Sequence, residues 1–233
     1  MSAMRCSLFG KLAAKRDFIA VLAPAEFLKV WEPWMQSGLS ASRQSLGEAW
    51  QTAFLTAPIW RFWLGAEICG ATVLGAFMPS VDGMGRYYPL TLFAHAGGSG
   101  TAIPPPDIEP QDDWFATAEE FLLSTLDTEV AYDSTIRALE QLSPPNSHAL
   151  HECPDGMSPV GDDTIMAEIG DQSFSDVFAS LRAANHAGTY AVASFWWTLG
   201  GGGFQAIGLC CRRMPDPSLQ AGMMTGRFSP AMD

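Results

Sequence analysis

The sequence predicts a single domain of the α/β class. Short apolar runs rich in aromatic and branched residues (59–64, 72–78 and 90–95) sit among stretches whose apolar residues recur at helical spacing. Neither an internal repeat nor a linker between two cores interrupts the 233 residues, a length that suits one large domain with a real core. The order strand, helix, strands, helices, helix, strands is a mixed one.

Residues 6–9 read as a short strand ending at Gly10. A helix is expected from Pro24, whose fixed φ suits a first turn, with Phe27, Leu28, Trp31, Trp34, Met35 and Leu39 at helical spacing. Pro33 falls inside that pattern and predicts a kink or a break. Leu46, Trp50 and Phe54, four apart, predict a second helix ending before Pro58. The three apolar runs then follow as strands, sequential neighbours in one sheet. After a Gly- and Pro-rich loop over 97–110, Trp114, Phe115, Ala118, Phe121, Leu122 and Leu126 mark an amphipathic helix. A shorter helix over 134–142 stops at Pro144 and Pro145, and 144–163 reads as a surface loop. Ser173 and Asp176 open a helix carrying Phe174, Val177, Phe178 and Leu181, with Asn185 and Gly188 as terminators. Residues 190–198 and 204–210 read as strands joined through the glycines 200–203, and 211–233 as a loosely structured tail.

Composition narrows the function. Hydrophobic residues make up 48% and charged residues only 16%, so some apolar surface is expected to meet another protein. The eight Trp point the same way, since Trp is enriched where partners dock, although large aromatics also fill cores. Residues 1–100 carry eight Lys/Arg against six Asp/Glu, 101–189 two against seventeen, and 190–233 three against two, for a net charge of −12. A phosphate backbone demands clustered cations, which argues against nucleic-acid binding; the acidic middle suits a basic partner or a solvated face. Five Cys without framework spacing suggest a reducing compartment. The first eighteen residues lack the apolar run of a signal peptide, and no stretch reaches the roughly 20 apolar residues a membrane helix needs. A cytoplasmic protein without membrane insertion is expected.

Catalytic signals fall away in turn. Gly10-Lys11 is followed by Leu12 rather than Ser/Thr, and the four glycines precede a strand pattern, so no phosphate-binding loop is read. His148, His151, Glu152 and Cys153 are suitable metal ligands by type, but they lie between prolines without the helical spacing that would align them. No GxSxG elbow exists, and Asp162-Asp163 reads as loop charge. Neither a cofactor nor a metal is expected.

Residues 78–90 (MPSVDGMGRYYPL) carry more chemistry than a turn requires. Gly83 and Gly85 permit positive φ, Pro79 and Pro89 bracket the segment, and Asp82 can pair with Arg86 across the turn. The segment resembles one found in the TagF (ImpM) family of bacterial type VI secretion, with Tyr88 in place of the usual Phe. Residues 9–18 (FGKLAAKRDF) are similar to the family's FGKLPxxGDF opening, with Ala13 and Arg16 where the family has Pro and Gly. The helical stretch 31–58 and residues 194–200 (SFWWTLG) resemble two more of its motifs, in the same order.

The resemblance implies a single three-layer α/β/α sandwich with a mixed sheet, its motif-bearing part spanning about 7–210. It also implies a non-enzymatic accessory protein, generally a repressor, that binds the cytoplasmic forkhead-associated-domain scaffold of the secretion apparatus. Asp17, Ser80, Asp82, Arg86, Trp196 and Trp197 are the expected partner- or ligand-binding residues, with bracing of the fold as their alternative role. Two other readings stay open: a ligand sensor or enzyme using an Asp/Arg/Ser pocket, and a structural subunit of the apparatus.

Overall fold

The computed structural model describes residues 4–97, 100–150, 154–160 and 164–228. In chain order its elements begin with β1 (Cys6–Gly10), β2 (Ile19–Val21), α1 (Ala25–Leu46), a 3-10 turn (Gly47–Ala49), α2 (Trp50–Leu55), β3 (Trp60–Leu64), α3 (Ala66–Cys69), β4 (Val73–Met78) and β5 (Leu90–His95). There follow β6 (Thr101–Ala102), α4 (Asp112–Ser124), α5 (Tyr132–Gln141), β7 (His148–Ala149), β8 (Met157–Pro159), β9 (Ile165–Ala167), α6 (Phe174–Ala184) and α7 (His186–Thr189). The chain closes with β10 (Ala193–Thr198), β11 (Ile207–Arg212), a 3-10 turn (Pro217–Leu219) and α8 (Gln220–Thr225).

Seven strands form one sheet in the order β11-β10-β3-β4-β5-β1-β2. Side chains alternate across it. Trp60, Phe62 and Leu64 of β3 pack with Val73, Phe77, Phe93 and Trp196 against Phe27, Trp31, Trp34 and Met35 of α1. Trp63, one residue from Phe62, faces the other way, with Leu74, Ala76, Leu90 and Leu92, onto Phe115, Ala118, Phe121 and Leu122 of α4. Helices thus cover both faces and the molecule has three layers. Two covered faces also explain why the strands read as continuous apolar runs rather than as an alternating pattern.

The sheet is not the mixed one that the resemblance implied. Every ladder is antiparallel. Residues 65–72 and 79–89 turn β3 into β4 and β4 into β5 as hairpin connections, without the crossover that parallel neighbours need.

Pro33 does not break α1, which runs unbroken for 22 residues. Pro33 and Lys29 both lie on the solvent side, so the carbonyl that loses its helical donor can turn to water. The 97–110 and 144–163 loops are also more ordered than expected, contributing the pairs β6–β7 and part of β8–β9. The tail is corrected furthest. Residues 217–225 are helical, with Gln220, Met223 and Met224 buried. Two core indoles donate to this segment, Trp34 to the Pro215 carbonyl at 2.9 Å and Trp60 to the Met223 carbonyl at 2.8 Å. The apolar content of the tail is short and carries little periodicity, which hides a docked turn of helix from sequence reading.

Candidate functional site

The β4–β5 connection narrows to a tight tip. Val81 bridges Tyr87, the Tyr88 amide donates to the Ser80 carbonyl at 3.1 Å, and the Asp82 amide donates to the Arg86 carbonyl at 3.1 Å. Gly85 takes φ +78°, a conformation that glycine adopts without cost. Asp82 organises the tip: its Oδ1 accepts the amides of Met84 (2.9 Å) and Arg86 (3.0 Å). Its Oδ2 accepts the Arg86 Nε–H at 2.8 Å and the Lys11 ammonium. The pairing of Asp82 with Arg86 is the one the spacing suggested.

Lys11 arrives from the end of β1, and glycine at position 10 makes that possible. Gly10 has φ +132°, and a Cβ there would lie 2.1 Å from the Pro89 carbonyl oxygen. The loop that follows is tied to the same tip. The Gly83 amide donates to the Lys15 carbonyl at 2.9 Å, and the Arg86 guanidinium donates to the Arg16 carbonyl. The two hairpin ends, β1–β2 and β4–β5, are therefore clasped into one unit.

Burial sets the electrostatics. The side chains of Asp82 and Lys11 are 0% and 5% exposed, whereas Arg86 is 55% exposed. Burial alone would raise the Asp82 carboxyl. The bonds from Lys11, the two amides and the Arg86 guanidinium outweigh it and hold the group well below the usual carboxylate range. Aromatic rings wall the clasp: Tyr88 meets Phe18 at 4.7 Å and Phe9 at 6.0 Å, edge to face, and the Lys11 ammonium stands 5.0 Å from the Phe18 ring. Outside lie Phe18 and Met84, 48% and 61% exposed.

The six expected site residues do not converge. Asp17 is exposed and reaches Arg86 only at 3.9 Å, so it belongs to the outer rim of the clasp. Ser80 is buried in the same hairpin. Trp196 is fully buried in the α1 side of the core, 4.8 Å from the Trp34 ring, with its indole donating to Ser194 at 2.8 Å. Trp197 points to the opposite face and packs edge to face on Phe115 at 5.1 Å. The two Trp sit on β10, which β3 separates from β4 and its hairpin.

Of the metal candidates, His148 pairs with Glu109 at 2.9 Å, while His151, Glu152 and Cys153 lie outside the described residues, as do Asp162 and Asp163. Among the described residues, no group of three or more His, Cys, Asp and Glu is placed to hold a metal ion. Burial pushes the thiols of Cys6 and Cys69 up to about 11 and about 12, values that suit packing rather than nucleophilic attack.

The family profile of the TagF N-terminal domain, type VI secretion system-associated, matches residues 7–142. The chain belongs to the TagF family. It is accordingly an accessory protein of type VI secretion. The crystal structure of PA0076 from Pseudomonas aeruginosa PAO1 is similar over 97% of this chain and 97% of that chain, with a TM-score of 0.78 and 28% identity. No curated protein matches the chain. The family match takes in both hairpins of the clasp and ends before Trp196 and Trp197. No helix among the described residues is long and apolar enough to cross a membrane.

Lys11 is the site residue that sequence reasoning missed. The sequence presents it only as a phosphate-ligand candidate, while the pairing of an FGK motif with an Asp–Arg turn in one family is the clue that the two motifs meet.

Proposed function

We propose that this TagF-family chain is a cytoplasmic, non-enzymatic regulator that represses type VI secretion by binding the forkhead-associated-domain scaffold protein. The clasp carries the reading. It fixes two hairpin ends by buried charge and leaves Arg86, Asp17, Phe18 and Met84 facing outward from a rigid base. Arg is one of the residues that dominate binding energy at protein interfaces, Phe and Met are enriched there, and rigidity lowers the entropic cost of docking. Repression then follows from mass action: a chain that prefers one state of the scaffold depletes the other.

The Asp82 chemistry favours this over an enzyme or ligand pocket. Both of its oxygens already accept two donors, so no lone pair is left to bind a ligand or act as a general base at neutral pH.

Arg86→Ala tests the proposal. Asp82 keeps Lys11 and both amides, so the variant is expected to stay folded by circular dichroism. Its affinity for the purified scaffold should fall by about tenfold or more, the loss typical of a hot-spot Arg, and secretion should be derepressed in cells. A folded Arg86→Ala protein that binds and represses like the parent would sink the proposal for this surface.

A further inference from the structure

Away from the clasp, and beyond the stretch that matches the family profile, α6 leaves an apolar face without cover. Phe174 and Phe178, four residues apart on the same side of the helix, are 67% and 63% exposed. Val177 is the helix's buried residue, so α6 is held by one flank while the phenyl rings stand in water. Beside it, a cleft between α6 and the β8–β9 hairpin is lined by Val177, Met157 and Met166 together with Asp155, Glu168 and Asp171. Its volume is about 600 Å³. Among the described residues none of these three carboxylates has an ion-pair partner.

We infer that α6 and this cleft form a second docking surface, which takes a cationic amphipathic helix of a partner protein. Charge complementarity selects that occupant. The described residues between 154 and 185 carry four Asp/Glu (Asp155, Glu168, Asp171 and Asp176) against one Lys/Arg (Arg182), so the apolar ridge is set in a negative surround. A helix with an apolar stripe flanked by Lys and Arg satisfies both features, laying its stripe along the Phe174–Phe178 ridge and its cations on the cleft carboxylates. A second copy of this chain would set like charges against each other. An anionic membrane surface would be repelled in the same way. The surface does not depend on the clasp, and a partner with two contact sites could engage both.

The probe is a synthetic, fluorescently labelled amphipathic helical peptide of Leu and Lys, with a counterpart carrying Glu in place of Lys. Fluorescence anisotropy with the full chain should show binding of the Lys peptide that weakens as salt rises from about 50 to about 300 mM. The Glu peptide should not bind. Phe174→Ser/Phe178→Ser alters only exposed side chains and leaves the net charge unchanged; it should weaken binding about tenfold or more. Glu168→Gln/Asp171→Asn should weaken it through the cleft, and Arg86→Ala should leave it unchanged. Equal binding by the double-Ser variant would reduce the effect to bulk charge attraction and overturn the proposal. So would equal binding of the Glu peptide, or a dimer in sedimentation that the double-Ser variant abolishes.

Discussion

Lys11 and Asp82 lie 71 positions apart, yet their side chains share one buried contact. Removing one partner of such a pair strands the other charge, so Lys11→Met is expected to cost about 3 kcal/mol at neutral pH, the low end for a broken buried pair because Arg86 remains. The pH dependence identifies the cause. The folded carboxyl of Asp82 titrates below its unfolded value, so its contribution is fully present above an unfolded pKa of about 3.9 and is lost as pH falls toward the folded one. The stability gap between parent and Lys11→Met, measured by urea midpoints, should therefore be constant from neutral pH to about 5 and shrink below about 4. A gap that does not move with pH would mean the cost is one of packing alone. Tyr88 offers the opposite case. Its hydroxyl is buried without a hydrogen-bond partner among the described residues, and burial, with the Glu32 charge, raises its pKa. The aromatic ring is needed between Phe9 and Phe18, but the oxygen is not. Tyr88→Phe should stabilise the protein by up to about 1 kcal/mol, read as a higher thermal midpoint, since it deletes an unsatisfied buried group without opening a cavity.

At the scale of elements, α8 does more than its six residues suggest. It packs on α1, where Gly38 has no side chain and a Cβ would lie 2.2 Å from Gln220 Cγ. It also supplies a backbone acceptor to the Trp60 indole of β3. Met223 is 1% exposed within the core of α1, α2 and β3. Met223→Ala should cost about 2–5 kcal/mol, the range for truncating a buried Met, and should shift tryptophan fluorescence because Trp60 loses a neighbour. An unchanged thermal midpoint would show that α8 is an appendage after all. Such an element is invisible in sequence because its stability is tertiary. Six residues cannot hold a helix in water, and only the Trp34 and Trp60 indoles and the α1 groove make it persist. By contrast, α1 and α4 were legible because each carries several turns of apolar residues at one spacing, long enough to outweigh even Pro33.

For the whole molecule, β3, β4 and β5 were legible as neighbouring strands in their apolar runs, and the three layers only through the family resemblance, whereas the directions of β1 and β10 were not legible. The short 65–72 and 79–89 connections dictate antiparallel neighbours, but β1 pairs with β5 and β10 with β3 across long stretches of chain whose course composition does not specify. The site was half legible: Asp82 and Arg86 meet because four residues of hairpin force them together, but Trp196 and Trp197 share a motif and face opposite layers, since neighbours on a strand must. Charge separates along the same architecture. The seventeen Asp/Glu between 101 and 189 fall in the segment that supplies α4 to α7, while the segment supplying α1 to α3 is near neutral. Self-repulsion within that acidic half opposes folding and acts through solvent, so salt should relieve it. The competing loss is small. Arg61, 6% exposed, holds Glu119 at 2.6 Å where ions screen little, and the exposed pairs of Arg86 with Asp17 and His148 with Glu109 are each worth less than about 1 kcal/mol. Raising sodium chloride from about 20 to about 300 mM shortens the Debye length from roughly 20 to roughly 6 Å. The thermal midpoint should then rise by about 2–4 °C, the shift that corresponds to about 1 kcal/mol for a chain of this size. A midpoint that falls instead would mean that attractive pairs, not the acidic surplus, govern the surface.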